Sequence, residues 1–219
     1  VAAVIALVSI GNGVKQDIED SISSLGSNLL VVLPGAPRTP GARSSQGSMK
    51  SLKISDYEAI AKLEGVKAAS PMTNGSYVVI YQNKNWTTSV AGVNSNFQDV
   101  NNWTMTSGRF FSDKNVQNRE RVAVVGQTVV KNLFTDEDPV GKEIRVKNIP
   151  FRVIGVLKSK GNGTMGNDQD DTVLIPYTTS MERVEGIDYL RRVYVVAKDD
   201  GGIDRLQADI ENLLRVRHN

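Results

Sequence analysis

The chain has 219 residues, of which 40% are hydrophobic and 23% charged, so it is long enough for one large domain or two small ones. Its 26 Lys and Arg against 24 Asp and Glu leave a formal charge of +2, too small an excess to indicate a nucleic-acid-binding surface. Because there is no Cys and only one His, disulfide scaffolds, thiolate metal sites and most imidazole chemistry are excluded.

The N-terminal segment is small or apolar throughout residues 1–10, and no charge occurs before Lys15. As a helix, these residues would span about 15 Å, roughly half of a hydrocarbon core of about 30 Å, and a buried core helix fits that length equally well. Beyond residue 10 the apolar positions keep to one face as far as Gly26, and they are Val14, Ile18, Ile22 and Leu25. This change favours a helix that leaves a membrane and packs on a soluble domain. Residues 1–10 are therefore predicted to end a transmembrane helix.

The next segment predicts a short buried strand at 29–33, a loop at 34–50 and a helix at 56–64. The loop is rich in Pro and Gly and too poor in apolar residues to order itself, so we expect it to be mobile. Its basic residues Arg38, Arg43 and Lys50 leave a surface-binding role open beside that of a solvated loop. The helix is predicted from a capping-box pattern over Ser55–Glu58 and from Gly65 at its end.

The remainder of the chain alternates strand and helix patterns. We predict a hairpin of strands 77–81 and 86–93 joined by a turn at 82–85, a short helix or ordered loop over 94–107, a strand at 121–125 and a helix at 127–134. A turn at 138–142 precedes a second hairpin, 143–146 with 150–157, and then come a strand at 172–175, a helix at 176–184 and a strand at 191–197. The last helix has a single apolar stripe made of Ile203, Leu206, Ile210, Leu213 and Leu214.

These elements predict an α+β fold. An α/β subdomain is built from both ends of the chain, residues 11–73 and 172–219, and a β-rich lobe at 74–171 is inserted between them. No internal repeat is found.

One glycine-rich segment has the spacing of a dinucleotide-binding loop, Gly161-Asn162-Gly163-Thr164-Met165-Gly166, and it follows a predicted strand. That function needs a helix whose N-terminal amides hold a pyrophosphate. The continuation is acidic and lacks a helical stripe, so nucleotide binding is disfavoured and no cofactor is predicted.

Two further groups of residues are candidates for a site. Asp168, Asp170 and Asp171 could ligate a hard cation such as Ca²⁺, but the glycine and the bidentate Glu of an EF-hand loop are missing, which favours a solvated acidic loop. Trp86, Trp103, Phe110 and Phe111 could line a hydrophobic ligand groove, although packing inside the lobe is the commoner role of such residues. We therefore predict no catalytic residue and no metal ligand, and the partner-binding residues stay undetermined.

Six stretches in this order resemble one known family. They are Ser24-Leu25-Gly26-Ser27-Asn28, Gly108-Arg109-Phe110-Phe111-Ser112, Val122-Ala123-Val124-Val125-Gly126, Asp138-Pro139-Val140-Gly141-Lys142, Phe151-Arg152-Val153-Ile154-Gly155-Val156 and Asp171-Thr172-Val173-Leu174-Ile175-Pro176-Tyr177. Together they are similar to the periplasmic core domain of MacB-type ABC transporters, in the wider group of MacB/FtsX-like permeases. The resemblance covers nearly the whole chain, and its motif residues look structural.

The resemblance implies a fold with a porter-like α/β subdomain and an inserted β-rich lobe. It also implies a non-enzymatic periplasmic domain of an inner-membrane exporter, whose ATPase domain is a separate cytoplasmic one. It implies that residues 1–10 anchor the domain in the membrane, and that the chain end precedes the return to a second transmembrane helix. The implied partners are a second copy of the permease, a periplasmic adaptor and, through the adaptor, an outer-membrane channel; nucleic acid is not among them. The implied role is to transmit ATP-driven movement and to dock the adaptor. A ligand-sensing or lipoprotein-release domain of a related permease is the alternative.

Overall fold

The computed structural model describes residues 28–34, 50–163, 167–198 and 202–218. The predicted membrane segment at 1–10, the helix that continues it and most of the predicted loop at 34–50 lie outside these residues. Helices and strands are mixed along the described chain, which confirms the predicted α+β class. Within the described residues, no helix is both long enough and apolar enough to cross a membrane.

The first half of the described chain is dominated by two long strands. Its elements are β1 (Leu29–Val32), α1 (Ile54–Ile60), β2 (Val66–Tyr81), β3 (Lys84–Val93), α2 (Phe97–Val100), β4 (Met105–Gly108) and α3 (Asp113–Gln117). β2 continues through Pro71, whereas the sequence predicted a strand only from residue 77 onward. Only Gln82 and Asn83 connect β2 to β3, because Tyr81 already pairs with Lys84, so the predicted four-residue turn is shorter by two.

The second half consists of shorter elements. They are β5 (Val122–Val125), α4 (Gln127–Leu133), β6 (Glu143–Val146), β7 (Ile149–Leu157), β8 (Thr172–Pro176), α5 (Tyr177–Thr179), β9 (Arg192–Ala197) and α6 (Ile203–Arg217). α5 continues as a π-helix over Ser180–Glu185, so the predicted helix at 176–184 exists but changes its winding. Lys147 and Asn148, the predicted turn between β6 and β7, have φ values of 51° and 66°, which a tight hairpin turn of type I′ requires.

The described residues divide into two compact units. Unit 1 contains those up to Pro71 and those from Asp188 onward, and unit 2 contains Met72–Ile187. The sequence placed residues 172–187 with the terminal subdomain, whereas here they belong to unit 2. The physical reason is strand pairing, since β8 lies parallel to β3 and antiparallel to β5.

Unit 1 is a small sheet with helices. β9 runs antiparallel to β1, with Leu30 opposite Val195, and its other neighbour is β2. α1 packs against α6. The apolar stripe of α6 is buried as the sequence predicts, with one exception, because Leu213 is only half-buried. The helix period therefore identified the packed face of α6 correctly.

Unit 2 contains a closed ring of strand pairings. The order around it is β2, β3, β8, β5, β7, β6 and back to β2, where Val79 pairs with Val146 and Ile80 with Arg145. β4 pairs with the C-terminal end of β7. One apolar core belongs to this ring and to α4, and its members are Val79, Tyr81, Val90, Ala123, Val125, Val129, Leu133, Phe134, Ile144, Val146, Phe151, Val153, Val156, Val173, Ile175 and Val184.

Candidate functional site

The four aromatic residues that could line a ligand groove, although the sequence favours packing for them, make different contacts. Trp86 packs against the core of unit 2, and its indole N–H donates to Asp171 Oδ1 at 2.8 Å. Trp103 is 8% exposed and lies under the ammonium group of Lys160. Phe110 and Phe111 stack on each other with ring centroids 4.3 Å apart. These contacts account for all four rings as packing residues and do not bring them together in one groove.

Lys160 is the most unusual ionisable group of unit 2. Its Nζ lies 4.3 Å from the centroid of the Trp103 ring and donates to the backbone carbonyl of Asn101. Burial lowers the pKa of the Lys160 ammonium, and the nearby carboxylate of Asp170 partly opposes that shift. The Lys160 ammonium thus contacts the face of the Trp103 ring and the carbonyl of Asn101, and it lies near the Asp170 carboxylate.

The described residues of the glycine-rich segment make backbone contacts with the residues that follow it. Asn162 bridges Asp168 in antiparallel fashion, and the N–H of Gly163 donates to the carbonyl of Asn167 at 2.8 Å. Residues 164–166 lie outside the described part of the chain. Residues 167–171 form a turn that leads into β8. A helix N-terminus aimed at a phosphate is therefore not formed by residues 167–171.

The three aspartates that could have ligated a cation bind protein donors instead. Asp170 is buried and accepts the hydroxyl of Ser159 and the backbone N–H groups of Lys160 and Gly161. Asp168 accepts Thr128 Oγ1 at 2.5 Å and the N–H of Asp170 at 2.9 Å. In the described residues, no group of three or more His, Asp or Glu side chains could hold a metal ion. The aspartates hold the loop in place.

Five of the six sequence motifs meet in unit 2; the first, Ser24-Leu25-Gly26-Ser27-Asn28, lies outside the described residues except for Asn28. Gly108 of the second motif pairs with Gly155 of the fifth, between β4 and β7. Gly108 has a φ of 67°, and a Cβ atom there would overlap the carbonyl oxygen of Ile154. Only glycine fits both constraints, so this motif is explained by backbone geometry.

The other motifs are joined by backbone hydrogen bonds. The N–H of Gly126 donates to the carbonyl of Thr172 at 2.9 Å, which connects the third motif to the sixth. The N–H of Gly141 donates to Val153 at 2.7 Å, and Val153 donates back to Lys142 at 2.8 Å, which connects the fourth motif to the fifth. The motifs therefore specify how the strands of unit 2 are assembled.

The most buried acid among the described residues of unit 1 is Asp56, which was not among the predicted site residues. Asp56 lies at the third position of α1, and its side chain is 3% exposed. Burial disfavours its ionised form, but hydrogen bonds from Arg217 and the Lys53 backbone N–H, together with His218, outweigh it and lower the pKa of the Asp56 carboxyl. The predicted capping box began at Ser55, whereas Lys53 is the residue that starts the helix. The partners of Asp56 at the other end of the chain leave no local signal in the sequence.

Comparisons with known proteins agree with the motif order. The family described as MacB-like periplasmic core domain matches residues 1–213. Curated relatives named macrolide export ATP-binding/permease protein MacB include one from Rhodospirillum rubrum, 44% identical over 220 residues, and one from Marinobacter nauticus, 39% identical over 218 residues. Each alignment covers 100% of this chain and 33% of the relative, so the chain spans about one third of their length.

Solved structures show the same fold. The periplasmic region of MacB from Actinobacillus actinomycetemcomitans is 25% identical with a TM-score of 0.75, over 93% of this chain and 90% of that one. The extracellular domain of the transporter YknZ from Gram-positive bacteria is 22% identical with a TM-score of 0.68, over 76% of this chain and 84% of that one, a similarity of fold alone. The fold and its motif core thus define an extracytoplasmic transporter domain. The chain belongs to the MacB-like periplasmic core domain family.

Proposed function

We propose that this chain is the periplasmic part of a MacB-like exporter in the inner membrane, where it transmits ATP-driven movement and docks a periplasmic adaptor. Through that adaptor the transporter engages an outer-membrane channel. The observation that carries the proposal is the family match over residues 1–213, together with relatives named for macrolide export. Those names also include an ATP-binding part, which we assign to a cytoplasmic region separate from this chain.

The packing of the described residues supports a mechanical rather than a chemical role. The ring of unit 2 is filled by a continuous apolar core, and its acidic and aromatic candidates bind neighbouring protein groups. A close-packed interior of this kind has low compressibility and transmits strain well. We therefore assign force transmission to the two units and the energy source to ATP hydrolysis elsewhere in a dimeric transporter.

Movement can be measured with spin labels because the chain contains no Cys. A single cysteine is introduced at the exposed Asn83 of unit 2, or at the exposed Lys62 of unit 1, in the full-length transporter freed of any other cysteine. Electron paramagnetic resonance then gives the distance between the two copies, with and without a non-hydrolysable ATP analogue. We expect both distance distributions to shift on nucleotide binding. Identical distributions in both states would refute force transmission.

Docking and export need separate assays. The full-length transporter should bind its adaptor in biolayer interferometry, and failure to bind would exclude docking. Coexpression with the adaptor should raise the resistance of a macrolide-sensitive host, and a Walker-lysine variant of the ATP-binding region provides the inactive control. If binding and movement are seen but resistance does not rise, the transporter does not export macrolides and the mechanical role is retained.

A further inference from the structure

Asp56 is a carboxylic acid in a fully buried position, where acids are rarely found. Its residue exposure is 2%, and aspartate is almost never so buried unless its charge is paired. It lies in the first turn of α1, and its Oδ2 accepts the backbone N–H of Lys53 at 2.8 Å. An exposed carboxylate could accept that hydrogen bond equally well, as in most helix caps, so the bond does not explain why Asp56 is buried.

The other two partners come from the C-terminal end of α6. Arg217 Nε donates to Asp56 Oδ1 at 2.8 Å, and His218 Nε2 lies 3.0 Å from Oδ2. An ionised carboxylate only accepts, so the histidine nitrogen is the donor. Both oxygens of Asp56 are thus occupied, and one buried charge connects the start of α1 to the end of α6.

Helix electrostatics favour this arrangement. The N-terminal turn of a helix stabilises an acid, and the C-terminal turn stabilises a base. Asp56 and Arg217 satisfy both conditions and neutralise each other, with the carboxylate buried and the Arg217 side chain 35% exposed. Because separating the pair would leave Asp56 charged and buried, displacement of the α6 end without α1 is costly.

A second ion pair in the same unit lacks these properties. Lys53 Nζ lies 2.7 Å from Asp188 Oδ2, but the two side chains are 41% and 84% exposed. Solvent screens such a pair, and it contributes little to holding two elements together. Asp188 is therefore a matched control for Asp56, with the same residue type, the same unit and an equally short contact.

We propose that Asp56 is the coupling residue of unit 1, through which movement at the end of α6 is delivered to α1. Asp56 is a positioning residue, and it acts by making α1 and the end of α6 move as one body. This inference rests on the proposed function, because it names the contact that carries the transmitted movement.

The test uses the full-length transporter with its adaptor. The variants are Asp56→Asn, Arg217→Gln, the double variant and the control Asp188→Asn. Asparagine keeps the shape of Asp56 and can still accept the Lys53 N–H, which favours folding. ATPase rate, macrolide resistance and the nucleotide-dependent distance at Lys62 are measured for each, after membrane levels and protease protection are matched to the parent.

Asp56→Asn should hydrolyse ATP at close to the parental rate, lose roughly fivefold or more of its export and show a reduced distance change, as when one coupling contact is removed. The double variant should be no worse than the more severe single one, because both substitutions remove the same interaction. Asp188→Asn should behave like the parent in all three assays.

Two outcomes would overturn the inference. One is parental export and movement in Asp56→Asn, and the other is additive losses from Asp56→Asn and Arg217→Gln. If Asp56→Asn does not accumulate in the membrane, Arg217→Gln is compared alone with Asp188→Asn, and parental coupling there is equally decisive. Failure of the proposed function looks different, because the parent transporter itself would then show no nucleotide-dependent distance change.

Discussion

Replacing Gly108 by alanine tests the explanation given for the family motif in unit 2. The substitution meets two obstacles, a φ of 67° and a new Cβ atom that would lie 2.8 Å from Gly155 Cα while overlapping the Ile154 carbonyl oxygen. A positive φ costs an L-residue about 1–2 kcal/mol. Overpacking against backbone costs about 1–3 kcal/mol. We expect Gly108→Ala to lower the free energy of unfolding by about 2–5 kcal/mol, the sum of both effects.

Two other glycines separate these effects. Gly141 has a φ of 87° but nothing within 4 Å of a built Cβ, so Gly141→Ala should cost only the conformational part, about 1–2 kcal/mol. Gly126 has an ordinary φ of −83°, yet a Cβ there would lie 2.9 Å from the carbonyl carbon of Asp170. Gly126→Ala should therefore cost only the steric part, about 1–3 kcal/mol.

Urea unfolding followed by tryptophan fluorescence is the suitable assay. The chain has two Trp residues, Trp86 and Trp103, and both lie in unit 2 with all three glycines. The fluorescence transition therefore reports the unit in which the substitutions are made. A Gly108→Ala loss below about 0.5 kcal/mol, the usual range for inert surface changes, would refute the reasoning. So would a loss no larger than that of Gly141→Ala.

Three further predictions concern hydrogen-bonded side chains. The pKa of Asp56 is lower in the folded protein than its unfolded value of about 3.9. Its contribution to stability is therefore complete above the unfolded pKa and is lost as pH falls through the folded pKa. Because Asp56→Asn lacks this contribution, acid unfolding curves should show its stability falling less steeply than that of the parent. The hydrogen bond to Glu137, with burial, raises the pKa of Tyr81 above its unfolded value of about 10. The stability that this bond contributes is present below the unfolded pKa and should be lost as pH rises through the folded pKa. Tyr81→Phe should remove the Tyr81 step from an alkaline ultraviolet titration. Trp86→Phe keeps an aromatic ring but loses the indole N–H that donates to Asp171, which should cost about 1–3 kcal/mol in urea unfolding, and an unchanged midpoint would contradict that bond.

Local patterns predicted most elements of the fold correctly. The apolar stripe of α6, the hairpin of β6 and β7 and the strand at β5 follow from periodicity and turn residues that lie close together in the sequence. The path of β2 through Pro71 was missed because proline usually ends a strand. β4 and α3 were missed because their polar residues show neither period clearly.

The long-range features could not be predicted from local patterns. The parallel pairing of β8 with β3 assigns residues 172–187 to unit 2, and no residue near position 172 indicates it. The contact between Asp56 and Arg217 joins positions 161 residues apart. Asp56 fell only within the predicted helix-start pattern, and Lys160 was not singled out. Their roles follow from burial, which depends on the assembled chain.

The ring of unit 2 also determines which of its strand pairings separate first under a mechanical load. Strands paired on both sides cannot be peeled away one bond at a time from a free margin, so a load along any of them shears several hydrogen bonds together. Two seams are the shortest, β2 with β6 and β5 with β8, each with two residue pairs, whereas β2 and β3 share nine. Amide hydrogens at these two seams should exchange with solvent sooner than those elsewhere in the ring, and a machine cycling under strain would open at one of them before anywhere else in the ring.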